Sequence, residues 1–142
     1  RDEGTNAAIG MFGQFILEKE DNENLNLLNL KHTGTLPLVE SIRMYSIKHQ
    51  VDKGSTIDRL QELTEKKVFT TEEFDFLKNA LEYLSSILMS AQIRQAKKNL
   101  PIKNYTDPKG LYKREKKLLK MYLKEIKSLK TRLKGDFGEE YV

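Results

Sequence analysis

Apolar residues recur at alternating three- and four-residue spacing through most of the second half of the chain, the pattern of helices that each cover one face. The longest stripe is Phe74, Leu77, Leu81, Leu84, Leu88 and Ala91, widened by Phe76, Ala80, Tyr83 and Ile87. Thr70 and Glu73 form a capping box at its start, with Phe69 and Phe74 placed for a hydrophobic staple. The helix should reach about Lys98, where Leu100-Pro101 breaks it. Further upstream, Leu38, Val39, Ile42 and Tyr45 share one face of a helix. Leu36 and Ile47 lie elsewhere on its circumference, which predicts burial. Gly34 reads as the turn before it, Thr35 as its N-cap, and Pro37 sits in the first turn, where a missing N–H costs no bond. Ser55 should cap a short helix to about Lys66, with Ile57, Leu60 and Leu63 inward.

The last helix is expected to begin with Asp107 as N-cap and Pro108 at its first position, and to run to Lys134 with Gly135 as C-cap. Leu111, Leu118, Leu119, Tyr122, Ile126, Leu129 and Leu133 fall on its core side. At the other end of the chain, Ala7, Ala8, Met11, Phe12, Phe15 and Ile16 predict a helix from Thr5 to about Leu17. Gly10 and Gly13 weaken that reading, and Ile9, Met11, Phe15 and Leu17 also fit the alternation of a strand. Glu18 to Asn24 reads as an exposed loop, and Leu25 to Lys31 as a short extended apolar run. The whole is an all-α, up-and-down bundle of four main helices plus one or two short ones, in which short connections favour antiparallel neighbours.

Composition changes this picture in three ways. At 142 residues the chain is one domain, 1–142, long enough for a sizeable core. It has no cysteine, which excludes disulfides and thiolate metal sites, and no apolar run of the length a membrane span needs. It opens on Arg1-Asp2-Glu3 without a methionine, and the expectation is a fragment of a larger multidomain protein. The net charge of +4 is uneven: Lys109 to Lys134 holds eleven basic residues against Glu115 and Glu125, so that segment is +9 and the rest −5.

The basic helix invites comparison with nucleic-acid binders, since Lys113, Lys116, Lys117, Lys120, Lys124 and Lys127 lie opposite the apolar stripe. No aromatic residue shares their face to stack bases, Tyr122 lying on the core side, so a solvated face is the favoured reading. His32 and His49 lack ligand partners at metal-binding spacing. Asp21-x-Glu23 has the spacing of a metal-holding carboxylate pair but lacks a strand and a phosphate-cradling Gly-Ser turn. No P-loop and no G-x-S-x-G occurs, so the chain carries no recognisable active site and no metal site. Lys31, beside the Gly34 turn, and Arg43, among aliphatic neighbours, are the sharper candidates for contacting phosphate or an acidic partner. Glu115 falls in the middle of the apolar stripe, and Arg43 is its counterpart on the earlier helix, flanked by Val39 and Ile47. An ion pair between Arg43 and Glu115 is therefore expected, with Glu40 as rival partner for the arginine.

Leu30-Lys31, Gly34, Leu36-Pro37-Leu38 and Arg43 resemble the motif of the helical domains that accompany GlnD-like (protein-PII uridylyltransferase-like) nucleotidyltransferases, a family labelled as their substrate-binding domain. Met11 to Phe15, Thr56 with Arg59 and Leu60, Gln92, and Asn104-Tyr105 with Asp107-Pro108 extend the similarity over nearly the whole chain. So do Leu111, Glu115 and Leu119-Lys120. The chain departs from the family at Asn29, where aspartate is usual, at Leu88, where arginine is common, and at Lys130, where a glutamine stands. The resemblance implies a C-terminal domain that is non-catalytic by itself and follows a nucleotidyltransferase domain, with CBS and cyclic-nucleotide-binding modules often upstream, in a cytoplasmic, signal-transducing enzyme. It implies substrate contacts from Lys31, Arg43 and Gln92, and magnesium with a nucleoside triphosphate for the parent enzyme. An acceptor protein is a further implied partner. A helical interaction or dimerisation module forming a homodimer, and a nucleic-acid-binding domain using the basic helix, are the alternatives.

Overall fold

Four α-helices, α1 (Leu36–Lys48), α2 (Thr56–Glu65), α3 (Thr71–Lys97) and α4 (Lys113–Phe137), carry the core of the computed structural model, which describes residues 8–138. Near the end of α1, Tyr45 meets Phe69, just ahead of α3, and Asp136 and Phe137, at the end of α4. Just before α1, Gly34 faces Leu84 in the middle of α3 and Leu123 in the first half of α4. Helices α1 and α4 therefore run the same way and α3 runs against both, while short α2 packs on α1 and α3 in the corner between them. This is the all-α bundle that the periodicity predicts. Leu38, Ile42, Leu84, Leu119 and Ile126 are among its buried residues, and each such side chain contributes about 1.5–3 kcal/mol on leaving water.

Helices whose ends depend on local chemistry start where expected. The Ser55 hydroxyl accepts the Asp58 N–H and opens α2. Thr70 and Glu73 exchange both bonds of a capping box at α3.

The start of α1 differs. Leu30 is already helical, and Lys31–Thr35 forms a π turn that leads into α1 without a break. Thr35 is thus inside a continuous helix and makes no capping bond. Its place is taken by Asn29, whose side-chain Oδ1 accepts the His32 N–H at 3.2 Å. Pro37 explains the widened turn: it has no N–H to offer and its ring crowds the carbonyl four residues back. The wider π spacing lets Leu36 N–H reach the Lys31 carbonyl and carries the chain past the proline. Gly34 is consequently no turn residue but a point of close approach, buried against α3 and α4. Because asparagine and aspartate cap equally well, Asn29→Asp should keep the cap and lose only the long 3.4 Å bond from Nδ2 to Tyr105, a smaller loss of melting temperature than in Asn29→Ala. Asn29→Ala should cost about 1 kcal/mol, seen as a drop of several degrees in a thermal melt. An alanine variant as stable as the parent would show that the cap contributes nothing.

The other corrections have equally definite causes. Residues 8–17 do not form a helix: Ile9 and Phe15 pair as an isolated antiparallel bridge around a tight turn, and Gly13 adopts φ +79°. Thr5 to Ala7, where that helix was expected to begin, lie outside the described residues. Asp107 and Pro108 open only a single 3-10 turn, Pro108–Gly110. Helix α4 begins at Lys113, where the Glu115 carboxylate accepts the Tyr112 N–H at 2.8 Å. At its far end α4 continues past Gly135 to Phe137, and Gly138, at φ +89°, terminates it. That extra turn is held by α1: Tyr45 donates to Asp136 at 2.6 Å and the Lys48 ammonium lies over the Phe137 ring. Ile47 and Arg43 are exposed, so α1 buries one face and not most of its circumference. Among the described residues, no helix is long and apolar enough to cross a membrane.

Candidate functional site

Segment 28–31 and segment 104–106 come from opposite ends of the chain and lie side by side. Leu28 and Thr106 exchange both backbone bonds, at 2.8 and 2.9 Å, and the Lys31 N–H donates to the Asn104 carbonyl at 3.3 Å. Side chains fasten the same seam. Asn29 Nδ2 donates to the Tyr105 hydroxyl at 3.4 Å, and that hydroxyl donates to Glu18 Oε1 at 2.9 Å. Burial first, and then the Glu18 carboxylate, push the Tyr105 hydroxyl up to about 12. Glu18 is held below the usual carboxylate range chiefly by the N–H groups of Glu20 and Asp21, with Tyr105 adding to them.

Gln92 joins this seam from α3. Its Nε2 donates to the Lys103 carbonyl at 3.2 Å and to Asn104 Oδ1 at 3.3 Å, while Gln95 Oε1 accepts the Lys103 N–H. Gln92 therefore holds the loop that carries Lys103 and presents no free amide donor pair of its own. The result is a groove of about 420 Å³ lined by Asn29, Lys31, His32, Leu36, Lys103, Asn104 and Tyr105.

A second groove of about 480 Å³ lies on the other side of His32 and Leu36, which line both. Arg43, Glu40, Met44 and Ile47 reach it from α1, and Lys130 from α4. Lys31, Lys103, Arg43 and Lys130 thus bring four cations to adjoining grooves in which Glu40 is the one carboxylate. Volumes of this size suit a small ligand, and the charge suits an anionic one.

The expected ion pair between Arg43 and Glu115 does not form. Arg43 is exposed beside Lys130, and Glu115 is half-buried at the start of α4, bonded to its own helix N-terminus. Since α1 and α4 run parallel, Glu115 lies at the end of the bundle away from Arg43. Glu40 lines the same groove as Arg43, with no ion pair between them. Lys103 and Lys130 were not legible as site residues. For Lys130 the departure from the family's glutamine was the available signal; for Lys103 there was none, because only the fold lays its loop against Lys31.

Other motif residues prove structural. Asp21 caps the 3-10 turn Asn22–Asn24, accepting from Glu23 N–H and Asn24 Nδ2. Arg59 donates to the Lys53 carbonyl at 2.9 Å, tying α2 to the loop before it. No group of three or more His, Asp or Glu side chains among the described residues is arranged to hold a metal ion.

Compared with known protein families, residues 3–137 match the one described as "Putative nucleotidyltransferase substrate binding domain". No curated protein and no solved structure matches the chain.

Proposed function

We propose, for a chain that belongs to this family of nucleotidyltransferase substrate-binding domains, that the adjoining grooves about His32 hold an anionic substrate for a separate catalytic domain. The observation that carries this reading is the convergence of Lys31, Lys103, Arg43 and Lys130 on adjoining grooves, from three separate stretches of the chain: the helical run through α1, the loop after α3, and α4. A triphosphate has the charge and size for such a face, and lysine and arginine are the side chains that bind phosphate oxygens. The nucleoside triphosphate is the substrate class this supports first; an acidic surface of an acceptor protein is the second.

In this reading magnesium and the chemistry of transfer belong to the catalytic domain. The domain is non-catalytic by itself in this reading. Gln92 acts by positioning the Lys103 loop. Membership of a GlnD-like enzyme that modifies a PII-like acceptor, with CBS and cyclic-nucleotide-binding modules in a cytoplasmic signalling protein, is the context we propose for it.

Calorimetric titration of the chain with a nucleoside triphosphate, with and without magnesium, tests the reading. Lys31→Ala and Arg43→Ala should each weaken binding about tenfold, the loss of one charge-assisted contact at a phosphate. Lys97→Ala, an exposed lysine at the end of α3, should leave it unchanged. Binding indifferent to Lys31 and Arg43 would sink the proposal, and transfer of nucleotide by the chain alone would overturn its non-catalytic part.

A further inference from the structure

On α4, Lys117, Lys120, Lys124 and Lys127 recur at three- or four-residue intervals and form one stripe along the helix. Its surroundings differ from those of an ordinary solvated face. On one side stands the turn of residues 10–13, whose Met11 and Phe12 are each 88% exposed. That turn is well fastened: Gly10 N–H donates to the Gln14 carbonyl at 2.8 Å, Gly13 N–H to the Gly10 carbonyl at 3.0 Å, and Phe12 N–H to Gln14 Oε1 at 3.1 Å. It also sits on the lysines, with the Lys120 ammonium 4.9 Å above the Phe15 ring and Lys124 lining the hollow beneath the tip. On the other side, between α3 and α4, lies a groove of about 890 Å³ floored by Phe76, Tyr83, Leu118 and Met121. Lys117, Lys120 and Lys124, with Arg114, form part of the wall of that groove, against two carboxylates, Glu125 and Glu115, the latter accepting the Tyr112 N–H.

We infer that this face is a docking surface for an acidic amphipathic helix of a partner protein. A knob of two adjacent apolar side chains and an apolar groove, separated by a cationic stripe, call for an occupant with both chemistries at once. A helix whose apolar face enters the groove places its flanking Glu and Asp side chains along the lysines. A flat bilayer could receive Met11 and Phe12 but leaves the concave groove unfilled. A nucleic acid would meet the lysines but leaves the apolar floor bare. A second copy of this chain, docked face to face, would set lysine against lysine, because the segment from Lys109 to Lys134 is +9. The surface is separate from the grooves about His32, so it can hold a partner whether or not those bind a nucleotide.

Fluorescence anisotropy with the 142-residue chain and a labelled synthetic helix of ~20 residues, leucine at the i, i+3, i+4 and i+7 positions and glutamate on the flanks, tests the inference. Saturable binding is expected, weakened about tenfold by Lys117→Glu with Lys124→Glu and by a similar factor by Met121→Asp. Phe12→Ser should weaken it less, since the knob touches only one edge of the helix. Arg43→Ala, in the other grooves, should leave it unchanged, which separates this test from that of the nucleotide reading. A scrambled peptide of the same composition binding equally well would overturn the proposal, since charge alone would then suffice. Loss in the lysine variant with Met121→Asp silent would overturn it for the same reason. Tighter binding to phosphatidylserine vesicles or to a thymidine oligonucleotide than to the helix would assign the face to membrane or nucleic acid instead.

Discussion

Tyr45→Ala is expected to lower the folding free energy by about 4 kcal/mol, the scale of removing a buried aromatic ring from a packed core. The ring is 1% exposed and ties three elements together. It stands edge-on to Phe69 at 5.3 Å and to Phe137 at 5.4 Å. The Arg132 guanidinium lies within reach of both the Tyr45 and Phe69 rings, and itself binds Glu73 at 2.9 Å and the Val68 carbonyl at 2.7 Å. Alanine leaves a void where the ends of α1 and α4 meet the start of α3. Tyr45→Phe keeps the ring and removes only the bond to Asp136, a partly exposed carboxylate that water can solvate, so the cost should fall to about 1 kcal/mol. Urea denaturation followed by circular dichroism separates the two values. An alanine variant within ~1 kcal/mol of the parent would mean that the three elements do not depend on this ring.

The same hydroxyl gives the fold an alkaline limit. Burial, and next the bond to Asp136, raise the Tyr45 hydroxyl above the ordinary tyrosine value of about 10. A group whose proton is held more tightly in the folded state stabilises fully below its unfolded value and loses that contribution as pH rises past it. Stability should therefore decline from about pH 10 upward, with Tyr105, raised to about 12, adding to the same window. In Tyr45→Phe the decline should be shallower, with Tyr105 and Tyr83, both also raised, left to drive it among the described residues.

Gly34→Phe should cost about 3 kcal/mol, whereas Gly34→Ala should stay within about 1 kcal/mol of the parent. A Cβ at this position would stand 3.3 Å from Leu123 Cδ2 and 3.5 Å from Cδ1 of both Leu30 and Leu84. One methyl asks Leu123 to give by a few tenths of an ångström, and the better helix propensity of alanine offsets that. A phenyl ring has no such room, because α3 and α4 both close on the π turn. Thermal melts of the two variants would check the contrast. Equal stability of the phenylalanine variant would show that α3 and α4 do not close on Gly34 as described. Because Lys31 and His32 ride on the same turn, the phenylalanine variant should also weaken nucleotide binding.

Sequence alone determined much of what rests on contacts within a few residues. The cap of α2 and the capping box of α3 were legible because their donors and acceptors lie three positions apart, and the stripes of α3 and α4 because helical period sets which side is apolar. The family motif was legible as a set of residues, though not what each one does. Tertiary structure decided what depends on partners far along the chain. Asn29 and not Thr35 caps the helical run that leads into α1: a π turn carries the chain past Pro37, and its Gly34 packs against α3 and α4. The tail of α4 passes Gly135 because Tyr45 and Lys48 hold Asp136 and Phe137. Arg43 and Glu115 looked like partners on their own helices, but the parallel course of α1 and α4 keeps them apart, and helix direction is set by packing that a periodic stripe does not encode. Lys31, Gln92 and Lys103 meet at one seam for the same reason. That seam is made by a backbone bridge between Leu28 and Thr106, residues whose pairing no local spacing specifies.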